Sequence, residues 1–599
     1  MATAYIDKRN LRFLLHEVFD VSALTQHERY AEHRRQTFDM ILDATSKLAR
    51  EICLPTLKEM DTEPPMLDGG SVRVHPAVGR FMRECGEGGW IAAEFPYDLG
   101  GEQLPHLIGC ACRYIFAAAN YSISVYPFLT AGAARLIASF GDEALRTAYL
   151  PEMLAGRWQG TMALTEPQAG SSLADITTAA VPTEDGGYRI CGKKIFISAG
   201  DHDGVDNVVH LLLARIAGAS AGVKGISLFV VPKRRYAADG KLVPNDVAVS
   251  QIYHKLGYRG CPITELEFGQ QNDCRGFLVG EAHQGLAYMF QMMNDARIEV
   301  GAGATAIAQA AYGAALGYAA ARPQGRALSD KDPTRPQIPI IQHADVKRML
   351  LFQKAVVEGS LSLIMQCARY VDLESVSEGD EKEKYALLLD LLTPVAKSYP
   401  SEMGVLSTSQ AIQCFGGYGY CQDFPVEQYY RDVRIHPIHE GTTGIQGLDL
   451  LGRKIIRNQG RALKYLQAEM HRTIATAGQT EGLSAHGDAL TDALERLDTV
   501  LGHLGATAQA DGMAAYLADA TVFLEFFGII TIAWQWLLQV TFALEKEATA
   551  RKKADRRFYA GKRLACDYFF KYELPKTVAL ARTLMDRQRP TLAISADQF

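Results

Sequence analysis

The sequence predicts an α+β chain that is mostly α, in the order α, β, α and then further α. Three observations carry this. Apolar residues recur at helical spacing over long runs in the first 150 residues, such as 38–52 and 111–140. From about Thr161 to Gly285 the texture changes to short β-branched or alternating runs, punctuated by Gly, Pro and Asp. Long helical periodicity then returns and continues to the C-terminus.

The boundaries that follow are 1–160 for an N-terminal helical domain, 161–285 for a β domain, 286–475 for a helical domain and 476–599 for an added helical domain. The loop at 62–70 (Thr-Glu-Pro-Pro-Met-Leu-Asp-Gly-Gly) separates helices in the first. The second holds five strand-like runs, at 187–190, 194–198, 208–214, 226–231 and 265–268, as a small antiparallel sheet or barrel requires. The third contains a Pro-rich loop at 322–339 and an acidic loop at 372–384. Residues 476–488, rich in Gly, Thr and Ser, read as a linker.

A chain of 599 residues is too long for one compact domain. Its 48% hydrophobic and 22% charged residues are ordinary for a globular protein and exclude disordered and fibrous classes. A net charge of −6 gives no general attraction to nucleic acid or to an anionic membrane. Eleven scattered cysteines without a C-x-x-C pair read as reduced thiols, hence a cytoplasmic expectation. The start, Met-Ala-Thr-Ala-Tyr-Ile-Asp-Lys-Arg, leads into no apolar core of the kind a secretory signal needs. Glu525, Gln535 and Gln539 interrupt the apolar run 522–544, which favours a buried helix over a membrane span.

Several local patterns resolve to ordinary structure. Gly301-Ala-Gly303-Ala-Thr-Ala306 fits a loose dinucleotide pattern, but no acidic residue occurs between Glu299 and Asp330, so a small-faced helix is expected. His436 and His439 are three apart across Pro437, which opposes a helical zinc site; no metal is expected. The basic run 551–557, continued by Lys562 and Arg563, reads as a solvated helix face. The loop 164–172 offers backbone N–H groups and hydroxyls suited to a phosphate or flavin edge, and Glu440-Gly441-Thr442 places a carboxylate beside a flexible position.

Together these segments resemble the acyl-CoA dehydrogenase family over roughly 88–456. They are Gly88-Gly-Trp90, Tyr149-Leu-Pro-Glu-Met-Leu-Ala-Gly-Arg-Trp158, Thr165-Glu-Pro-Gln-Ala-Gly-Ser171, Gly192-Lys-Lys-Ile-Phe-Ile-Ser198, Lys255-Leu-Gly-Tyr-Arg-Gly260, Gln413-Cys-Phe-Gly-Gly-Tyr-Gly419, Arg431-Asp-Val-Arg434 and Glu440-Gly-Thr442. The chain further resembles the long subfamily that includes 3-methylmercaptopropionyl-CoA dehydrogenases. The carriers are Arg322-Pro-Gln-Gly-Arg326, the tail Thr443-Gly-Ile-Gln-Gly-Leu-Asp-Leu-Leu-Gly-Arg453 and Leu11-Arg-Phe-Leu-Leu-His-Glu-Val-Phe-Asp20.

The resemblance implies a helical domain, a middle β-barrel or sandwich, a four-helix bundle and an extra C-terminal helical domain. It implies FAD-dependent α,β-dehydrogenation of an acyl-CoA to the trans-2-enoyl-CoA, with electrons passed to an electron-transfer flavoprotein. Glu440 aligns with the base, its backbone N–H with the groups that hold the thioester carbonyl, and Gly441 with the position that passes close to the thioester. Thr165, Ser171, Phe196, Ser198 and Thr442 align with flavin-contact positions. Arg322, Gln413 and Gly417 align with residues reaching the FAD of a neighbouring subunit, hence at least a homodimer. Ser171, Arg297 and Gly441 align with substrate contacts, Arg297 near the CoA end. Phe196 stands where many relatives have Trp, Ser172 where many have Asp, and Gly444 where some have Gln. The C-terminal extension is expected to replace a second dimer. An oxygen-reoxidised acyl-CoA oxidase is the alternative, and a DNA-binding alkylation-response relative a remote one. The run 120–129 is expected to shape the acyl pocket.

Overall fold

A computed structural model describes residues 5–329 and 332–599; Met1 to Ala4 of the N-terminal reading, and Asp330 and Lys331 of the Pro-rich loop, lie outside the described residues, as do the side chains at 291–293. The chain forms two compact units, one of residues 36–296 and one of residues 1–35 with 297–599.

The first of these holds the N-terminal helices and the strands. Helix Arg35–Leu48 continues through a π-turn, Ala49–Cys53, into helix Leu54–Thr62. The helical run 111–140 is two helices, His106–Ala119 and Tyr121–Phe140. Asn120 breaks it: its backbone is extended, and its side chain accepts from the amide of Ile123 as an N-cap. The loop at 62–70 in turn closes as a short hairpin, β1 (Met66–Asp68) against β2 (Ser71–Arg73).

The β domain is one eight-stranded sheet. Its strands are β3 (Trp158–Ala163), β4 (Ala179–Pro182), β5 (Tyr188–Ser198), β6 (Asn207–Ile216), β7 (Ile226–Pro232), β10 (Val247–Ile252), β11 (Ile263–Phe268) and β12 (Arg275–Leu278), with β8 (Arg234–Tyr236) and β9 (Leu242–Pro244) pairing apart. The main order is β10-β11-β5-β12-β7-β6-β3, with β4 beside β5 and β6. Most pairs are antiparallel, as anticipated, but β6 runs parallel to both β3 and β4, so the sheet is mixed. The runs 187–190 and 194–198 prove to be one strand, β5, long enough to serve three neighbours in the sheet. Ile190, Leu212, Phe229, Leu266 and Phe268 form its core, each 2% exposed or less. Each such side chain contributes about 1.5–3 kcal/mol on burial.

The other unit is helical. Helix Gly285–Ala321 from residue 297 on, Ala344–Val376 and Gly379–Phe415 are its longest bundle members, and the first contains the Gly301 to Ala306 run as helix interior. A Cβ on Gly301 would lie 1.9 Å from the carbonyl oxygen of Ala396, so glycine sets how closely these helices cross.

The added C-terminal helices are Arg461–Gly478, Ser484–Leu517, Ala520–Thr549, Lys553–Tyr568 and Lys576–Met585. The linker read at 476–488 shrinks to the few residues between Gly478 and Ser484, because flanking residues extend both helices. Ala520–Thr549 is long and apolar enough to cross a membrane, yet Trp534, Trp536 and most of its neighbours pack inside the unit. The basic run is not wholly a solvated face: Lys562 has no exposed surface. It shares the inward stripe of its helix with Tyr559, Ala565 and Cys566.

Candidate active site

In the helical unit, helix Val426–Val433 ends shortly before a turn carrying His436, Pro437, Ile438 and His439. Glu440 follows at φ +53 and Gly441 at φ +89. Two successive left-handed residues reverse the chain, and Thr442 then caps helix Thr443–Asp449 by accepting from the Ile445 amide. The left-handed conformation favours glycine at 441, and a Cβ there would lie 2.6 Å from Nε2 of Gln446 and displace that amide. Glu440 has no such freedom; a non-glycine residue held left-handed costs roughly 1–3 kcal/mol, and such strain gathers at functional sites. Its geometry is fixed from outside. Gln446 Nε2 donates to the Glu440 carbonyl at 3.1 Å, Thr443 N donates to the Pro437 carbonyl at 3.1 Å, and Thr443 Oγ1 donates to Glu402 Oε1 at 2.5 Å.

Glu440 is half-buried, and desolvation raises its carboxyl above the usual range, against the opposing charges of Arg297 and Lys397. His436 and His439 do not add cationic charge: burial holds both below the ordinary imidazole range, helped by Lys397 and, for His439, first by His436. No group of metal-ligating side chains occurs among the described residues. Arg297 is 4% exposed and donates from one Nη to Asp449 at 3.0 Å, so its charge is largely answered within the unit.

Arg322, Gln413 and Gly417 gather elsewhere in the same unit. Tyr318 and Phe415 stack with centroids 4.2 Å apart, which joins the ends of two bundle helices. Arg322 follows one helix end and Gln413 and Gly417 flank the other, and all three are exposed.

In the β-containing unit, the loop at 164–172 closes between Glu166 and Ala169, whose backbones exchange hydrogen bonds at 3.0 Å. The Glu166 carboxylate ties the loop down. It accepts from Lys194 Nζ at 2.8 Å, from Thr177 N at 2.6 Å, from Thr178 N at 3.0 Å and from both threonine hydroxyls. Burial opposes its ionisation, but Lys194 and these donors hold it down to about 2. Ser171 is left exposed on this pinned loop. The Ile195 amide donates to the Thr165 carbonyl at 2.9 Å, bringing Thr165 beside β5. There β5 is bulged: Ile197 pairs with Thr264 and Lys194 with Leu266, so two residues oppose one. Phe196 falls in the bulge at φ +59 and is turned out, 58% exposed, its ring 4.8 Å from Tyr253. Ser198 lies two residues on, opposite Ile263.

An exposed aromatic on a bulge, flanked by hydroxyls and by a loop locked from beneath, suits a flat polar heterocycle such as a flavin. Sequence reasoning missed the roles of Lys194 and Lys397. Lys397 is a lone lysine within a largely apolar stretch, whereas Lys194 is told from the adjacent Lys193 only by the alternation of the strand.

The fold and the family matches define a flavin-dependent dehydrogenase acting on acyl thioesters. The chain belongs to the acyl-CoA dehydrogenase family: the family's N-terminal domain matches residues 35–157, its middle domain 161–270 and its C-terminal domain 283–456, while residues 466–595 match the "Acetyl-CoA dehydrogenase C-terminal like" model. It is 37% identical over 569 residues to 3-methylmercaptopropionyl-CoA dehydrogenase of Ruegeria pomeroyi, covering 94% of each chain. ACDH-11 of Caenorhabditis elegans, solved with C11-CoA, superposes with a TM-score of 0.75 at 22% identity, covering 96% of this chain and 92% of that one. An acyl-CoA dehydrogenase of Bacillus anthracis, complexed with FAD, superposes at 0.69 and 21% identity over 97% and 96%.

Proposed function

We propose that this protein oxidises an acyl-CoA thioester to the trans-2-enoyl-CoA with Glu440 as base. The observation that carries the reading is the strained Glu440-Gly441 turn, whose backbone is tied down by Gln446 and whose carboxyl is desolvated. An α C–H is poorly acidic in water, and a carboxylate freed of its hydration shell is the stronger base. Glu440 takes the α proton, the β hydrogen leaves as hydride, and the double bond forms between the two carbons. FAD, when bound, supplies the hydride acceptor. Thr165, Ser171, Phe196, Ser198 and Thr442 are the residues we assign to hold it. Arg322, Gln413 and Gly417 we assign to the FAD of a second subunit, their exposure being what such a reach requires.

The Glu440 amide is assigned to the thioester carbonyl, where charge develops as the proton leaves. Ser171, Arg297 and Gly441 are assigned to the substrate. Arg297 acts through charge, since its exposed surface is small and Asp449 already engages it.

The reading extends to a cytoplasmic homodimer that hands electrons to an electron-transfer flavoprotein, in which residues 1–160, 161–285, 286–475 and 476–599 act as successive domains. Eleven free cysteines suit a reducing compartment. The substrate class is tested by screening a panel of short, branched, thioether-containing and aromatic acyl-CoA esters for anaerobic bleaching of the flavin band. Rapid reoxidation in air with stoichiometric peroxide would instead make the protein an oxidase.

A further inference from the structure

Lys397 lies in helix Gly379–Phe415 with no exposed surface, and its Nζ has no hydrogen-bond partner among the described residues. Burying an ammonium without an acceptor costs several kcal/mol, so a lysine kept in such a place needs a compensating charge nearby. Its surroundings supply one. Helix Gly285–Ala321 crosses directly at the preceding residue, since the Ala396 carbonyl sits where a side chain on Gly301 would be. One turn earlier on that helix is Arg297. Five residues further along the helix of Lys397, Glu402 is fastened to Thr443, just beyond Gly441 and Thr442. The Glu440 turn therefore lies against the stretch of helix that carries Lys397.

The charged and titratable groups around this turn can be named element by element. Helix Gly285–Ala321 contributes Arg297, and helix Gly379–Phe415 contributes Lys397 and Glu402. The turn itself contributes His436 and His439, and helix Thr443–Asp449 contributes Asp449. The imidazoles are held uncharged by burial. Arg297 is engaged by Asp449, and Glu402 receives the Thr443 hydroxyl. Lys397 interacts electrostatically with both Glu402 and Glu440, and hydrogen-bonds to neither.

We propose that Lys397 is a positioning residue for the reaction, an unpartnered buried ammonium that keeps the Glu440 carboxylate charged and ready to accept the α proton. The inference rests on Glu440 being the base. A direct ion pair would neutralise the base and hold it away from the substrate. A cation in reach but unbonded stabilises the carboxylate without occupying its oxygens. Burial lowers the ammonium to about 8, with Glu402 and Glu440 opposing.

The test uses the full-length holoprotein carrying Lys397→Met, which keeps the length and removes the charge. Two readouts are followed: the acid limb of the kcat/KM profile, and the infrared carboxyl band of Glu440, identified by its absence in Glu440→Gln. We expect both to move to higher pH together by about one unit or more, with turnover recovered above the shifted limb and wild-type flavin content. Lys397→Arg should return the limb to its original place. An unshifted limb and band, whether or not activity falls, would overturn the proposal. If Lys397→Met does not fold, Lys397→Gln carries the same comparison. Turnover retained by Glu440→Gln would instead remove the base assignment, and this inference with it.

Discussion

Nζ of Lys562 lies 2.7 Å from Oε2 of Glu358, with 0 and 2% of the two side chains exposed. The contact joins helix Lys553–Tyr568 of the added domain to bundle helix Ala344–Val376. Gln539 Oε1 accepts a hydrogen bond from Lys562 at 2.8 Å, Asn10 Oδ1 accepts another, and Lys354 reaches Glu358 from the other side. The ammonium also lies 5.0 Å from the centre of the Phe13 ring. An N-terminal segment, a bundle helix and two C-terminal helices thus meet at one buried charge.

This arrangement predicts an order of stabilities. Glu358→Leu leaves the buried Lys562 and the part-buried Lys354 without their shared acceptor and should destabilise by about 3–5 kcal/mol. Lys562→Met leaves Glu358 still paired with Lys354 and should be milder. The thermal midpoints should fall in that order. Equal midpoints for both variants and wild type would mean that the network contributes nothing.

Glu166 predicts an acid sensitivity of the β-containing unit. Its carboxyl sits at about 2 in the folded chain, held below the ordinary range by Lys194 and the Thr177 and Thr178 donors against the opposing effect of burial. A depressed folded value stabilises fully above the unfolded value of about 4.3 and is lost as pH falls towards 2. Thermal midpoints measured between about pH 6 and about pH 2.5 should decline. Glu166→Gln should lower the neutral value and flatten this part of the decline. A Gln variant with the wild-type slope would assign the acid sensitivity elsewhere.

Phe196 predicts a separation of cofactor binding from stability. The ring is 58% exposed, so little burial is lost on truncation. Phe196→Ala should leave the thermal midpoint of flavin-free protein nearly unchanged while lowering the flavin retained after gel filtration. Phe196→Trp should retain it. Full flavin content in the Ala variant would remove Phe196 from the flavin site.

The sequence made the order of helical and β segments legible because hydrophobic periodicity survives in long elements. It also made Glu440-Gly441 legible, as a carboxylate next to the one residue type that tolerates φ +89 without strain. Lys562 was hidden by its neighbours. A run of basic residues reads as solvated in one dimension, and only helical phase separates Lys562, inward with Tyr559 and Cys566, from Arg563 on the exposed side. The bulge at Phe196 was hidden for a related reason. Strand alternation is a property of β5 alone, whereas the two-against-one pairing belongs to β5 and β11 together. Lys397 depended on a helix crossing set by Gly301, more than ninety residues away in sequence.

Removal of the α proton by Glu440 is tested most directly by anaerobic mixing of flavin-loaded Glu440→Gln with an acyl-CoA that bleaches the wild-type flavin. Glutamine keeps the size and the strained turn but cannot accept the proton. Flavin content and acyl-CoA binding should persist while the bleaching rate falls by about 10³-fold or more. Bleaching at a rate near that of wild type would mean that Glu440 is not the base.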